Sequence, residues 1–204
     1  MNTPRFITHY YLPESGPLKS LSDLPLETDN PIFESFLTRH KREPTYRRRF
    51  GREYLRNRRE IEDRLRDLFI ARGGWPKRKH PFYFILGDSP WFKGLNDGHL
   101  ELRIDISHLS AETTSITYPD SFIALTQTKR PYHDQVFLLN EIDDLINRHG
   151  IPSNDRLVPY ERYWETDFEL YIEVQLWDDP ENILRMKTQA RNDVEADHEN
   201  KNKC

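Results

Sequence analysis

The chain has 204 residues, a length that suits one domain of ordinary size, or one domain with an appendage, and argues against two full domains. Charged residues make up 31% of it, but 4 Trp, 10 Tyr and 11 Phe supply enough apolar area for a folded core. There is no run of about 18 apolar residues and no apolar stretch typical of a secretory signal, and the single cysteine, Cys204, allows no intrachain disulfide. We therefore expect a soluble cytoplasmic protein that does not enter a membrane.

The formal net charge of -4 conceals an uneven distribution of charge along the chain. Residues 39–79 contain 16 Lys and Arg against 6 Asp and Glu, whereas the rest of the chain contains 14 against 28. Residues 188–204 include no aromatic residue and a single large aliphatic one, Val194, so burial cannot offset the entropy that ordering them would cost. We predict one domain over residues 1–187, followed by a disordered polar tail over 188–204.

One strand and two helices are predicted in the first part of the chain. The strand covers residues 6–12, and an Asn-Pro pair is typical of a helix start, here of a short helix over residues 31–40. Over residues 45–72 apolar side chains recur at helical spacing, and Gly73 and Gly74 supply a stop signal. This second helix is long, arginine-rich and amphipathic, and we expect its apolar face to pack on the domain.

The remainder of the chain is predicted to be mainly strands. The predicted elements are strands at 82–86, 99–106, 115–118, 121–125, 135–138 and 168–177 and a helix at 140–149. The segment SPWFKGLNDG, between the first two of these strands, is typical of a hairpin connection. Short turns between successive strands favour an antiparallel or mixed sheet with helices packed on one face. The predicted fold class is therefore α+β.

The strand at 168–177 alternates between an apolar face, predicted to be packed, and a polar face that also carries Tyr171 and Trp177. Large aromatic side chains on a solvent face are more often covered than bare. The cover could be the helix over 45–72 of the same chain or a second copy of the protein in a two-fold dimer. We expect a homodimer, with cover by the chain's own helix as the alternative.

The arginine-rich helix and the basic segment after it carry the strongest functional signal. The residues expected to bind an anionic partner are Arg47, Arg48, Arg49, Arg52, Arg56, Arg59, Lys77, Arg78 and Lys79. Guanidinium groups pair bidentately with phosphate and carboxylate oxygens, so a row of them can follow an anionic surface. Three interpretations stay open: a solvated structural face, docking onto an acidic protein surface, and contact with nucleic acid.

A second interpretation is enzymatic. Asp88 closes a predicted strand and the next strand carries Glu101 and Arg103, which resembles the way metal-dependent nucleases place two carboxylates and a cation around Mg²⁺. Arginine in place of the usual lysine cannot assist a water nucleophile, because it stays protonated. Mg²⁺ is expected only in this alternative, and no other cofactor is predicted. The favoured function is a non-enzymatic binding protein, and the alternative is a metal-dependent phosphodiesterase.

Four segments together resemble a family of bacterial hypothetical proteins. They are an early Leu-Pro-Glu-Ser, the arginine-rich stretch leading into Gly-Gly-Trp-Pro-Lys-Arg-Lys-His-Pro, the loop Leu-Gly-Asp-Ser-Pro-Trp and the closing Tyr-Ile-Glu-Val-Gln-Leu-Trp-Asp-Asp. The resemblance covers about residues 10–179 and implies a bacterial cytoplasmic protein. It carries no functional residue over to this chain.

Overall fold

The computed structural model describes residues 3–25, 31–152, 159–160, 163 and 169–186. The strands in this part of the chain are β1 (Phe6–Tyr11), β2 (Phe82–Leu86), β3 (Leu100–Asp105), β4 (Thr114–Thr117), β5 (Phe137–Leu138) and β6 (Glu173–Leu176). They form one sheet in the order β3-β1-β2-β6-β4-β5, and all neighbouring strands are antiparallel. The antiparallel sheet and its helices confirm the α+β fold class.

Several α-helices accompany the sheet in the described residues. They include α1 (Pro31–Arg42), α2 (Tyr54–Ala71), α3 (Pro90–Lys93), α4 (Ser121–Thr126) and α5 (Ile142–His149), and a further helical stretch covers residues 180–186. Short 3-10 turns lie at Leu21–Asp23, Ile106–His108 and Leu139–Glu141. Across the described stretches, no helix combines the length and apolar character that crossing a bilayer requires.

The two faces of the sheet differ in chemistry. One face is apolar: Ile7, Phe84, Val174 and Ile116 form a core with the apolar side of α5. The opposite face carries polar side chains from the central strands, and α2 lies over it with α4 alongside. Helices therefore cover both faces of the sheet, whereas the sequence analysis placed them on one.

The predicted helix over 45–72 is shorter in the structure, where α2 begins at Tyr54. The backbone before it is bound elsewhere, since the Arg47 N–H donates to the Leu95 carbonyl at 2.8 Å. The Arg47 side chain in addition donates to Asp97 at 2.6 Å. These contacts hold residues 45–53 against the loop after α3 instead of in a helix. The predicted stop is confirmed, because Gly73 follows the helix with a positive φ of 89°.

Two further predictions about the strands were wrong. The segment at 121–125 is helix α4, because the Asp120 side chain accepts hydrogen bonds from the N–H groups of Phe122 and Ile123 and so caps a helix start. The segment before β3 is not a hairpin connection, because β1 lies between β2 and β3 in the sheet. The predicted tail over 188–204 lies outside the described residues.

The predicted strand at 168–177 is confirmed only in its later part, as β6, and both of its faces are buried. Trp177, which follows β6, is fully buried and stacks on Phe69 of α2 with ring centroids 6.2 Å apart. Tyr171 packs edge-on against Phe92, with centroids 5.5 Å apart. The chain thus covers both aromatic side chains itself, and their burial requires no second copy.

Candidate functional site

Most of the predicted basic residues are held by groups of the same chain. The ion pairs are Arg47 with Asp97, Arg52 with Glu34, Arg56 with Glu53, Lys77 with Asp178 and Arg78 with Asp23, at 2.6 to 3.0 Å. Arg59 donates to the backbone carbonyls of Ser22 and Leu24. These contacts divide the predicted basic face into separate, locally compensated positions instead of one continuous row of cations.

Arg48 turns toward the interior of the protein. Its guanidinium carbon lies 5.0 Å from the ring centre of Phe50 and 5.5 Å from that of Phe92. Burial acts to lower the pKa of Arg48, but nearby tyrosines, Tyr54 first among them, outweigh it and keep the pKa above its usual value. Arg48 therefore belongs to an aromatic cluster and contributes little to the basic surface.

A surface groove brings four basic residues together, two of which, Lys77 and Arg78, also form the ion pairs given above. The groove has a volume of about 430 Å³ and is lined by Asp63, Arg66, Asp67, Lys77, Arg78 and Lys79. Asp63, Arg66 and Asp67 share one face of α2, since Arg66 and Asp67 follow Asp63 by three and four positions. The others come from the segment that leads into β2. The groove thus combines three of the predicted binding residues with the second half of the arginine-rich helix.

The cations of the groove are fixed in position to different degrees. Lys77 binds both carboxylate oxygens of Asp178 at 3.0 Å, and the Arg78 guanidinium lies 3.7 Å from the ring centre of Phe82. The Nε atoms of Arg66 and Arg78 are buried and have no hydrogen-bond acceptor among the described residues. Because these Nε atoms are out of contact with solvent, an anion in the groove would have to bind the terminal nitrogens of the two guanidinium groups.

Two exposed apolar side chains lie next to the groove along the chain. Ile70 continues the helix face of Arg66 and is 43% exposed, and Trp75, two residues before Lys77, is 73% exposed. Tryptophan and arginine are the residue types that most often dominate binding energy in protein interfaces. We call the groove together with these two side chains, its neighbours along the chain, the groove surface.

The second site is a buried polar network that the sequence analysis missed. Glu62 of α2 has 0% exposure and accepts hydrogen bonds from four side chains. The donors are Ser22 Oγ at 2.8 Å, Tyr83 Oη at 2.8 Å, His80 Nδ1 at 2.7 Å and Arg58 Nε at 3.2 Å. Burial acts to raise the pKa of Glu62, but the hydrogen bond from His80 and the charge of Arg58 outweigh it and lower the pKa.

Arg58 connects this carboxylate to a second acidic pair on the sheet. It donates to the Ser121 hydroxyl at 3.2 Å and lies 3.9 Å from Glu173 of β6. Asp120 is buried beside Glu173, and burial followed by the charge of Glu173 raises the pKa of Asp120 to about 7. Three buried carboxylates and one buried arginine therefore belong to one network, in which the pKa of Asp120 lies close to neutral pH.

One signal in the sequence could have indicated this network. Glu62 lies between Ile61 and Leu65, within the apolar stripe of the helix, so the wheel places it on the packed side. Tyr83, which donates to Glu62, and Glu173, which faces Arg58, come from distant strands, and no local pattern indicates that they meet the helix.

The residues of the enzymatic alternative do come together in the structure. Arg103 Nη2 lies 2.7 Å from Asp88 and 2.8 Å from Glu101, and Lys93 also binds Glu101, at 2.8 Å. The carboxylates are thus neutralised by two cations of the chain, which a metal ion would have to displace. Within the described ranges, no group of three or more His, Cys, Asp or Glu side chains is arranged to hold a metal ion. A phosphodiesterase activity stays a prediction.

Comparison of the chain with protein-family models, with curated proteins and with solved structures finds no match. The function proposed below accordingly depends on the geometry of the sites alone.

Proposed function

We propose that the protein is a non-enzymatic binding protein that holds an acidic segment of a partner protein on the groove surface. The observation that carries the proposal is the convergence of four cations on one groove. Guanidinium groups pair bidentately with carboxylate oxygens. The internal ion pairs of Lys77 and Arg78 hold these cations in place before a partner arrives.

A protein segment suits the groove surface better than a nucleic acid does. Asp63 and Asp67 line the groove, and their charges would repel the closely spaced phosphates of a nucleic-acid backbone. In a peptide of mixed charge, lysine or arginine side chains can pair with these two carboxylates. The exposed side chains of Ile70 and Trp75 offer apolar contacts that an acidic peptide with one or two large apolar residues would bury.

The experiment is a fluorescence anisotropy titration of the whole chain with three labelled probes. The probes are a 15-residue peptide rich in Glu with two Leu residues, a random 20-nucleotide DNA and a random 20-nucleotide RNA. We expect the peptide to bind most tightly. We also expect its affinity to fall with added salt, because the contacts between charges are screened.

Two variants and one matched control locate the site. Arg66→Glu and Lys79→Glu reverse charges of the groove, and each should weaken peptide binding about 10-fold. Arg56→Glu reverses an exposed charge of the same helix outside the groove, and should change the affinity less than about 3-fold. Equal effects of all three variants would point to non-specific charge attraction and contradict the proposal. So would the absence of peptide binding at 100 μM protein, or tighter binding of DNA or RNA through Arg66 and Lys79.

A further inference from the structure

Strand β3 lies at one edge of the sheet, and β1 is its neighbour on the other side. The N–H of Ile106 donates to the Arg5 carbonyl at 2.9 Å, which fixes the phase of the hydrogen bonds between the two strands. Leu100, Leu102 and Ile104 therefore direct their N–H and C=O groups toward β1. The backbone groups of Glu101, Arg103 and Asp105 point away from the sheet and, with respect to the described residues, form an open row of donors and acceptors.

The side chains along this edge alternate in charge in a way that matches a second copy. If two β3 strands pair antiparallel with Leu102 opposite its own copy, each Glu101 lies opposite the other chain's Arg103. Moving the centre to Glu101 places the two glutamates opposite each other. Moving it to Arg103 places the two arginines opposite each other and Glu101 opposite Asp105. Centring on Ile104 also pairs opposite charges, Arg103 with Asp105, but it overlaps the two strands over residues 103–105 only, whereas centring on Leu102 overlaps them over residues 100–104.

The backbone supports the same register. Glu101 and Arg103 are the residues whose N–H and C=O groups point outward, so in this register they form two hydrogen-bonded pairs that contribute four interchain hydrogen bonds. Leu100, which is 46% exposed, would then lie opposite Ile104 of the second copy and extend the apolar face of the sheet. Backbone, charge and apolar surface thus favour the same arrangement.

We propose that β3 is a dimer interface, in which it pairs antiparallel with β3 of a second copy about a two-fold axis through Leu102. Charged residues on an edge strand commonly keep other chains away. Here the charges of Glu101 and Arg103 exclude strands of other sequence and accept the chain's own copy. The interface at this edge of the sheet and the groove surface are formed by different residues, so the proposed interface does not depend on the proposed function.

The test is sedimentation equilibrium of the whole chain from 1 to 500 μM with two charge variants. Glu101→Lys places lysine opposite Arg103, and Arg103→Glu places glutamate opposite Glu101, so each variant alone should dimerise about 10- to 100-fold more weakly than the wild type. In a mixture of the two variants, both cross-strand pairs again carry opposite charges. We expect the mixture to form a heterodimer with an affinity within about 5-fold of the wild type.

A third variant tests the backbone. Arg103→Pro removes an outward-pointing N–H and no hydrogen bond to β1, and proline is tolerated at such positions of edge strands. We expect this variant to dimerise at least 10-fold more weakly than the wild type and to keep the circular dichroism spectrum of the wild type. A wild type that stays monomeric up to 500 μM would overturn the proposal. A dimer that none of the variants weakens, or a mixture that fails to associate, would overturn it as well.

Discussion

Replacement of Glu62 by glutamine tests whether the buried network holds α2 on the sheet. The substitution keeps the shape of the side chain but removes the charge that accepts hydrogen bonds from Arg58 and His80. The nearest other carboxylate to Arg58 is then Glu173, at 3.9 Å, a distance too long for a good hydrogen bond. Arg58 is left as a buried and poorly paired charge.

The expected cost follows from the burial of both partners. Removing one partner of a buried ion pair costs about 3–5 kcal/mol, and a glutamine that still accepts some hydrogen bonds recovers part of it. We expect Glu62→Gln to lower the free energy of unfolding by about 2–4 kcal/mol, a large share of the roughly 5–15 kcal/mol typical of a domain.

Urea unfolding at pH 7, followed by tryptophan fluorescence, measures this cost. Trp177 stacks on Phe69 of α2, so its emission reports on the packing of that helix. The matched control is Glu60→Gln, an exposed position two residues earlier in the same helix, which should change the free energy of unfolding by less than about 0.5 kcal/mol. If Glu62→Gln changed it as little as the control does, the network would not be a determinant of stability.

Two further substitutions have expected outcomes. Asp120→Asn should raise the free energy of unfolding at pH 8 by about 1–3 kcal/mol and have little effect at pH 4, because folding raises the pKa of this carboxyl from 3.8 to about 7, so that the aspartate loses stability as the pH rises from the lower value to the higher one. Urea unfolding at both pH values measures the difference, and an equal effect at pH 4 and 8 would count against it. Gly74→Ala should lower the free energy of unfolding by about 1–3 kcal/mol, because an added Cβ would lie 2.5 Å from the buried Phe69 ring. Gly51→Ala is the control in the same assay, because its added Cβ would meet nothing within 4 Å.

The strands with the clearest patterns could be predicted from the sequence because their signals are local. The apolar run at 82–86 and the alternation at 99–106 became β2 and β3 within a residue of the expected ends. The start of α2 could not be predicted in this way. What keeps residues 45–53 out of the helix is a contact with Leu95 and Asp97, about 50 positions later in the chain.

The candidate site illustrates the same difference between local and distant information. The sequence identifies which residues carry charge, and Lys77, Arg78 and Lys79 do line the groove. Whether a given charge is available depends on neighbours that are far away in the chain: Arg78 is paired with Asp23, 55 positions earlier. The spacing of charges within a helix does not contain that information.

The network was missed because the helix was expected to pack on the domain through its apolar face alone. The polar strand face that carries Glu173 and Gln175 was expected to be covered by this helix or by a second copy, but its partners on the helix were not identified. In the structure these polar faces cover each other. Gln175 is fully buried, and its side-chain amide donates a hydrogen bond to Thr117 of the neighbouring strand β4. A buried ionic contact of this kind contributes less to stability than a hydrophobic one, but a slide of the helix by one turn would leave its charges without partners. The network therefore fixes where α2 lies on the sheet, and through α2 it fixes where the groove surface forms.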